Sequence, residues 1–323
     1  MRRRNFIALL GSAAAWPLAA RAQQPERIRL IGVLTPFGEG DQEAKAWLTA
    51  FQEGLQQLGW AQGRNVSIDY RWAGDRLQIN AAELVKMSPD VLFVAATPGL
   101  EALLQHTRSL PIVFVQVSDP VKLGFVANLA RPGGNITGFT NFEHAIGGKW
   151  LELIRDTAPG AMRVLVIFEP DIPAQLAYLQ AIEAAAPTFR VELIRAGVRN
   201  AAEIEREIDA FAQEPKGALI VVPSALGITH RDLIVALAGR HHLPAIYPYP
   251  VFARSGGFIS YGVDLADLYR RAASYVDRIL KGAKPGDADP ATDQIRADRQ
   301  PQDREGAWPH HPGAVPAARR RGD

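Results

Sequence analysis

The sequence predicts an α/β protein made of two doubly wound lobes joined by a hinge. Short β-branched segments alternate with longer amphipathic segments along most of the chain, a pattern typical of repeated strand–helix units. Several strand segments are apolar without interruption, as expected for parallel strands that are covered on both faces. Turn residues at 131–134 interrupt the alternation and mark the junction of the lobes. The length of 323 residues fits two domains of roughly 150 residues each.

Hydrophobic periodicity places the individual elements along the chain. Strands are predicted at residues 30–34, 66–70, 91–94, 112–115, 164–167, 191–194, 218–222, 245–246 and 258–261. Helices are predicted at residues 47–58, 77–87, 99–107, 121–129, 150–157, 174–186, 201–213, 231–239 and 265–280.

The expected organisation has five parts. An export signal would occupy residues 1–22, the N-terminal lobe residues 23–138 and the C-terminal lobe residues 139–250. Residues 251–285 would supply a late strand and a helix that returns to the N-terminal lobe. Residues 286–323 are polar, rich in Pro and Gly and almost free of aliphatic side chains, so we expect an aberrant and disordered tail.

The first segment has the features of an export signal. Three arginines precede an apolar stretch at residues 6–19, and Ala20-Arg21-Ala22 matches a signal-peptidase site. The apolar stretch is shorter than the roughly 20 residues that a membrane-spanning helix needs. Arg3-Arg4-Asn5-Phe6-Ile7 resembles the twin-arginine export motif, although an ordinary secretory signal with a coincidental arginine cluster stays open. Cleavage would leave Gln23 as the mature start.

Charge and cysteine content exclude several classes of function. The whole chain has a net charge of +2 and a pI near 8.9, but without residues 1–22 it holds 32 basic and 34 acidic residues, a net charge of −2. A nucleic-acid partner is therefore not expected. The chain has no cysteine, so disulfides, thiolate metal sites, cysteine catalysis and a lipid-modified N-terminal cysteine are excluded. We expect a soluble, exported protein without a lipid anchor, cofactor or metal.

Ordered segments along the chain carry a resemblance to a known family. The clearest are Ser118-Asp119-Pro120-Val121-Lys122-Leu123-Gly124, Arg131-Pro132-Gly133-Gly134-Asn135-Ile136-Thr137-Gly138 and Gly256-Gly257-Phe258-Ile259-Ser260-Tyr261-Gly262. Over roughly residues 1–285 the chain resembles ABC transporter substrate-binding proteins, in particular the periplasmic receptors related to tryptophan- and phenylalanine-binding components. The resemblance implies a type I periplasmic-binding fold with two Rossmann-like lobes. It also implies a small ligand enclosed between the lobes, an amino acid or aromatic compound being favoured, and docking on a membrane permease by a monomer.

The carboxyl ends of parallel strands identify candidate ligand contacts, because ligands of open α/β sheets bind there, near helix N-termini. In the N-terminal lobe these are Thr35, Phe37, Thr97, Ser118 and Asp119. Thr97 and Asp119 have an alternative role as helix caps. An anion could meet Thr97 and the helix end, while Asp119 could accept a ligand ammonium group.

The second set of candidates follows the later strands. It consists of Thr140, Ser224, Tyr247, Tyr261 and Asp264. The alternative role of Thr140 is in the hinge, that of the tyrosines is packing between the lobes, and that of Asp264 is to cap the helix from residue 265. The acids in residues 168–171 are interpreted as part of a solvated loop.

The sequence argues against two other classes of protein, an enzyme and a ligand-sensing regulator. An α/β enzyme acting on a small metabolite would need a glycine-rich nucleotide loop, a G-x-S-x-G elbow or an H-E-x-x-H pair, and the sequence contains none of these. A ligand-sensing regulator would need an additional DNA-binding or signalling module, which an export signal followed by a strand near Arg27 does not favour. We therefore predict no catalysis.

The tail prompts a testable hypothesis about the gene. Read one base later, the codons from Thr292 onward can encode Pro-Thr-Arg-Phe-Glu-Leu-Ile-Val-Asn-Leu-Lys-Thr-Ala-Lys-Ala-Leu-Gly-Leu, which has the pattern of a strand and an amphipathic helix. This alternative also resembles the family's C-terminus. We expect a frameshift, in the gene or in its sequencing, between residues 286 and 292. Resequencing the 3′ end of the gene tests this. If the same reading frame is obtained without ambiguity in homopolymer runs, the result argues against a sequencing error.

Overall fold

The computed structural model describes residues 27–74 and 76–287. The predicted export signal at residues 1–22 lies outside these residues, and so does the tail from residue 288 onward. Within them the first lobe contains a five-stranded parallel sheet with helices on both faces. Its strands are β1 (Arg29–Thr35), β2 (Val66–Trp72), β3 (Val91–Ala95), β4 (Ile112–Val117) and β5 (Ile136–Thr140). Its first helices are α1 (Gln42–Gln57), α2 (Leu77–Lys86) and α3 (Thr97–His106), and the strand order is β2-β1-β3-β4-β5.

The second lobe repeats this arrangement. Its strands are β6 (Arg163–Phe168), β7 (Glu192–Gly197), β8 (Gly217–Val221), β9 (Ala245–Tyr247) and β10 (Ile259–Ser260), in the order β10-β9-β8-β6-β7. Its helices are α4 (Ile146–Thr157), α5 (Pro173–Phe189), α6 (Ala201–Phe211), α7 (Ala225–Thr229), α8 (Arg231–Arg240) and α9 (Pro250–Arg254). All the strand pairs are parallel. The predicted fold class, two doubly wound α/β lobes, is confirmed.

The last helix, α10 (Leu265–Leu280), returns to the first lobe. It packs along α1 and against β3, β4 and β5. Tyr269 inserts between Trp47 and Phe93, with ring centroids 5.9 and 5.5 Å away, and the indole of Trp60 donates a 2.8 Å hydrogen bond to Asp277. Strand β10 stays in the second sheet, paired with β9. The predicted segment 251–285 therefore divides between the lobes, and only its helix joins the first.

Asp264 fixes the start of α10. Its carboxylate accepts hydrogen bonds from the backbone N–H groups of Ala266 and Asp267, which satisfies donors that have no partner within the helix. Asp41 caps α1 in the same way through Glu43 and Ala44. Both helices thus begin where a short acidic side chain precedes the apolar stripe.

The segment at residues 121–129 and strand β5 differ from the sequence prediction. Residues 121–129 form a series of turns rather than a helix, because Gly124 adopts a left-handed φ of +76° that ends any helical run. Strand β5 was not predicted, and it contains Gly138 at φ +156° directly against the backbone of Phe114. Because β5 extends to Thr140, the chain leaves the first lobe two residues beyond the predicted boundary at 138.

The close packing of α1 on α10 generates a stability prediction. A Cβ atom at Gly54 would lie 2.6 Å from the carbonyl oxygen of Arg270 and 2.9 Å from the Cβ of Ala273. We expect Gly54→Ala to lower the free energy of unfolding by about 1–2 kcal/mol, because overpacking exceeds the gain in helix propensity. Urea unfolding followed by tryptophan fluorescence measures this.

Gly239→Ala is the matched control for this substitution. Gly239 lies in α8 with no atom within 4 Å of an added Cβ, so alanine should stabilise the helix by up to about 1 kcal/mol. Equal effects of the two substitutions would contradict the packing argument.

Candidate functional site

A cleft of about 560 Å³ lies between the lobes, at the carboxyl ends of both sheets. Because every strand in each sheet is parallel, all the loops that follow the strands meet at one edge. The first lobe contributes residues after β1, β3 and β4, and the second lobe contributes residues after β6 and β8 and from the first turns of α5. The polar and aromatic lining includes Phe37, Thr97, Gln116, Ser118, Asn141, Glu169, Gln175, Tyr178, Arg199, Ser224, Thr229 and Tyr249.

A chain of buried hydrogen bonds runs along the first-lobe wall and into the second lobe. The hydroxyl of Thr97 accepts from the backbone N–H of Ser118 at 3.2 Å. The hydroxyl of Ser118 donates to Asn141 at 3.1 Å, and the amide of Asn141 donates to the hydroxyl of Tyr249 at 2.9 Å. Burial raises the pKa of Tyr249, so this hydroxyl stays protonated at neutral pH. The network connects the cleft wall to the hinge.

The backbone of this wall is strained at the ends of β3 and β4. Ala96 adopts φ +65° and ψ 156°, a conformation that side chains beyond glycine rarely occupy. Gln116 and Asp119 have φ values of +60° and +43°. Strain of this kind costs of order 1–3 kcal/mol per residue and persists only where the surrounding structure requires it. Here it shapes the cleft wall and the loop beside it.

Asp119, which is partly exposed, and the buried His144 form the base of the hinge. Asp119 Oδ2 lies 3.1 Å from Nδ1 of His144, which is only 2% exposed, and Asp119 also accepts from the backbone N–H of Lys122 at 3.3 Å. The ring of His144 meets Tyr178 edge-on at 4.7 Å. Burial lowers the pKa of His144, and the negative charge of Asp119 opposes that effect. Asp119 therefore faces the hinge rather than the cleft.

The structure brings four of the ten predicted contacts, Phe37, Thr97, Ser118 and Ser224, into the cleft. The other six predicted contacts do not line the cleft and have structural partners outside it. They are Thr35, Asp119, Thr140, Tyr247, Tyr261 and Asp264.

Each of those six has a local reason for lying elsewhere. The hydroxyl of Thr35 faces the backbone N–H of Phe37, and that of Thr140 donates to the carbonyl of Val117 at 2.8 Å. The ring of Tyr247 stacks on Phe252 at 4.9 Å. The carbonyl of Tyr261 accepts from the indole of Trp150. As shown above, Asp119 binds His144 and Asp264 caps α10.

Glu169 is the main feature of the second-lobe wall that the sequence did not predict. Its backbone N–H donates to Gln175 at 2.7 Å, and its carboxylate accepts from Gln175 at 3.2 Å. Ser224, whose hydroxyl accepts from the backbone N–H of Gly227 at 2.7 Å, lies beside this carboxylate in the cleft. Burial raises the pKa of Glu169. The interpretation of residues 168–171 as a solvated loop is wrong for Glu169, because Gln175 and Ser224 enclose it. Asp171 is exposed, as that interpretation expects.

The rule that ligands bind at loops after strands does not identify two other lining residues, which lie on a helix. Gln175 and Tyr178 lie three residues apart on α5, on one face of the helix, and both are buried. That spacing beside the β6 loop is a signal that could have identified them.

Two contacts join the lobes outside the hinge. Arg254 in α9 forms an ion pair with Glu43 in α1 at 3.2 Å, and the hydroxyl of Thr229 lies 3.4 Å from Asp41. Each contact joins the start of α1 to the second lobe. An exposed ion pair of this kind contributes at most about 1 kcal/mol, so it can bias the separation of the lobes without locking it.

Within residues 27–74 and 76–287, His, Asp and Glu side chains form no group of three that could hold a metal ion. In the same residues, no helix has both the length and the apolar character needed to cross a membrane.

Fold and cleft together define a two-lobed binding protein that encloses a small molecule. The chain belongs to the ABC transporter substrate-binding protein family, whose profile matches residues 33–297. It is the substrate-binding component of such a transporter, and it belongs to a family of receptors rather than enzymes. The predicted family and binding function are thereby confirmed.

Individual relatives share about a quarter of their residues with this chain. The chain is 25% identical over 240 residues to the tyrosine-binding protein of Clostridioides difficile (strain R20291), an alignment that covers 73% of this chain and 69% of the relative. A conserved domain protein from Vibrio cholerae has a TM-score of 0.74 at 24% identity, covering 81% of this chain and 88% of the other. An ABC domain from Streptococcus pneumoniae in complex with L-Trp has a TM-score of 0.72 at 23% identity, with the same coverage. These two structures show the shared fold.

The strain at Ala96 gives a prediction that alanine is not the most stable residue there. We expect Ala96→Gly to raise the free energy of unfolding by about 1 kcal/mol. Glycine adopts this backbone conformation without steric strain, and the strain relieved exceeds the conformational entropy that glycine loses on folding. Chemical denaturation measures the change. Ala95→Gly is the control, since Ala95 is buried in β3 and glycine should weaken the strand. Destabilisation by both substitutions would contradict the assignment of strain.

Proposed function

We propose that this protein captures an amino acid with an aromatic or apolar side chain outside the cytoplasm and delivers it to an ABC permease. The observation that carries the proposal is the composition of the cleft, where polar groups on both walls flank apolar and aromatic side chains. Pockets of several hundred Å³ with a few oriented polar groups are typical sites for small molecules. A tyrosine-binding relative and the fold shared with a tryptophan complex support an amino acid as the ligand.

The two walls offer different chemistry to such a ligand. Thr97 presents its hydroxyl at the N-terminal end of α3, where the helix dipole favours a carboxylate. Ser118 lies beside it, with its hydroxyl proton donated to Asn141. Phe37, Leu77 and Tyr249 supply apolar and aromatic surface for a side chain. Because the walls belong to different lobes, one ligand would contact both and hold them together.

Movement of the lobes would occur about the two crossings of the chain. The first lies between β5 and α4, and the second between β10 and α10. The crossings touch, since an added Cβ at Gly262 would lie 1.9 Å from the carbonyl of Pro248 and 2.4 Å from the ring of Phe142. Phe142 also packs against Trp150 and Tyr249. A tight pair of crossings supports a hinge that a permease could recognise in its closed state.

The setting of this function rests on the sequence. Residues 1–22 have the features of an export signal, with a twin-arginine motif at Arg3-Arg4, and the chain has no cysteine to carry a lipid. We therefore place the mature protein in the periplasm, free of a lipid anchor and acting as a monomer beside its permease.

A thermal-shift screen of the mature chain, residues 23–323, tests the proposal. The panel contains amino acids, aromatic acids, sugars and nucleosides. We expect a saturable rise in Tm with one or more aromatic amino acids, because a ligand at 100 times its Kd stabilises the native state by about 2.7 kcal/mol. Saturation with a sugar or a nucleoside alone would reject the amino-acid assignment. No shift with any class would overturn the proposed binding function in this chain.

A further inference from the structure

The cleft contains an unusual distribution of charge. Among the described lining residues, the charged side chains are Glu169 and Arg199. Arg199 is committed to Asp171 through two hydrogen bonds of 2.7 and 3.2 Å. Glu169 is held instead by the neutral side chain of Gln175, and its other polar neighbours, Ser224 and the backbone of Leu226, are also neutral. The second-lobe wall therefore presents a carboxylate that neutral donors position and no lining cation neutralises.

Such a carboxylate has a definite preference among ligands. A partly buried anion is destabilised by lost hydration unless a cation approaches it. A carboxylate has about four acceptor positions, and the bond from Gln175, even with Ser224 as a neighbour, leaves capacity for a further donor. A cationic nitrogen supplies both the donor and the opposite charge, and charge-assisted hydrogen bonds are roughly twice as strong as neutral ones. A ligand hydroxyl supplies only the donor.

Other acids near the cleft are already engaged. Asp119 binds His144, Asp264 caps α10, and Asp41 caps α1. Asp171 is exposed and paired with Arg199. Glu169 is thus the acid that remains to meet a ligand.

We propose that Glu169 determines specificity by accepting the ammonium group of the ligand, so that the cleft selects molecules with a cationic nitrogen. This inference rests on the proposed function of amino-acid binding and assigns one residue to one end of the ligand. The carboxylate of the amino acid would then lie toward Thr97 and Ser118 on the opposite wall, which also separates the two like charges.

Matched ligand pairs test the assignment. L-Tyrosine, L-tryptophan and L-phenylalanine are each compared with the corresponding 3-arylpropionate, which lacks only the ammonium group, by thermal shift and calorimetry on the mature chain. We expect each bound amino acid to have a Kd at least about 30-fold lower than its arylpropionate, the loss typical of removing one partner of a buried charge pair.

Substitution of Glu169 should remove this discrimination. Glu169→Gln keeps the size of the side chain and one acceptor oxygen, and we expect it to weaken amino-acid binding by at least about 30-fold while changing arylpropionate binding by less than threefold. Glu169→Asp keeps the charge and should retain part of the preference. Glu205→Gln is the matched control, because it removes the same charge from an exposed position on α6 of the same lobe, away from the cleft.

The pH dependence of binding provides a second readout. The charged groups beside Glu169 are Asp171 in its own loop and Arg199 in the loop before α6, while α5 and the segment before α7 contribute the neutral Gln175 and Ser224. Burial raises the pKa of Glu169, and a bound ammonium would lower it. Amino-acid affinity should therefore fall as the pH decreases from 7 toward 5, and this fall should be absent in Glu169→Gln.

The outcomes separate the two proposals. Equal affinities for an amino acid and its arylpropionate would overturn the role of Glu169 and leave the binding function intact. The same holds if a cooperatively folded Glu169→Gln retains wild-type affinity and pH dependence. A ligand found only among sugars would also overturn the role of Glu169. No shift with any compound in the wider screen would overturn both.

Discussion

The packing of α10 on the first lobe is the interaction on which the two-lobe arrangement depends. This helix follows the last strand of the second sheet, yet its apolar face is buried in the first lobe. Full burial of each large apolar side chain contributes about 1.5–3 kcal/mol, and α10 buries Tyr269, Tyr275, Val276 and several others. The second crossing of the chain is consequently anchored at both ends. Two crossings with fixed ends restrict the lobes to motions about one hinge.

The hinge and the cleft share one polar network. Ser118 lines the cleft, Asn141 lies in the first crossing, and Tyr249 belongs to the second lobe, and hydrogen bonds of 3.1 and 2.9 Å link them. Buried networks of this kind are favourable only when their members are satisfied. A change in lobe separation would have to break or preserve these bonds as a unit. The first-lobe wall of the cleft is therefore coupled directly to the crossing between the lobes.

Much of the fold could be predicted from the sequence, because periodicity reports which face of an element is buried. The helix at Leu265–Leu280 matches its predicted bounds, since an acidic cap precedes a strong apolar stripe. The turns at 121–129 were mistaken for a helix because apolar spacing there does not reveal the backbone conformation of Gly124. The five-residue helices α7 and α9 are too short for periodicity to identify.

The site was less predictable than the fold, for a different physical reason. The rule that ligands bind beyond parallel strands selects loops that line the cleft, including those with Thr97 and Ser118. It could not show which side chains in a loop face the cleft, because that depends on partners from elsewhere in the chain. Asp119 turns toward His144, whereas Glu169 is enclosed by Gln175 and Ser224. Sequence patterns within a single loop contain no information about such partners.

The position of α10 at the end of the described chain has a consequence for folding. Trp47 and Phe51 on α1 belong to the core of the first lobe, and α10 covers that helix. The hydrogen bond between Trp60 and Asp277 joins residues separated by 217 positions. Contacts between such distant residues form slowly, because a long loop must close first. The N-terminal lobe is therefore synthesised first but completed last. The apolar face of α1 stays uncovered until the ribosome has passed residue 280, where α10 ends.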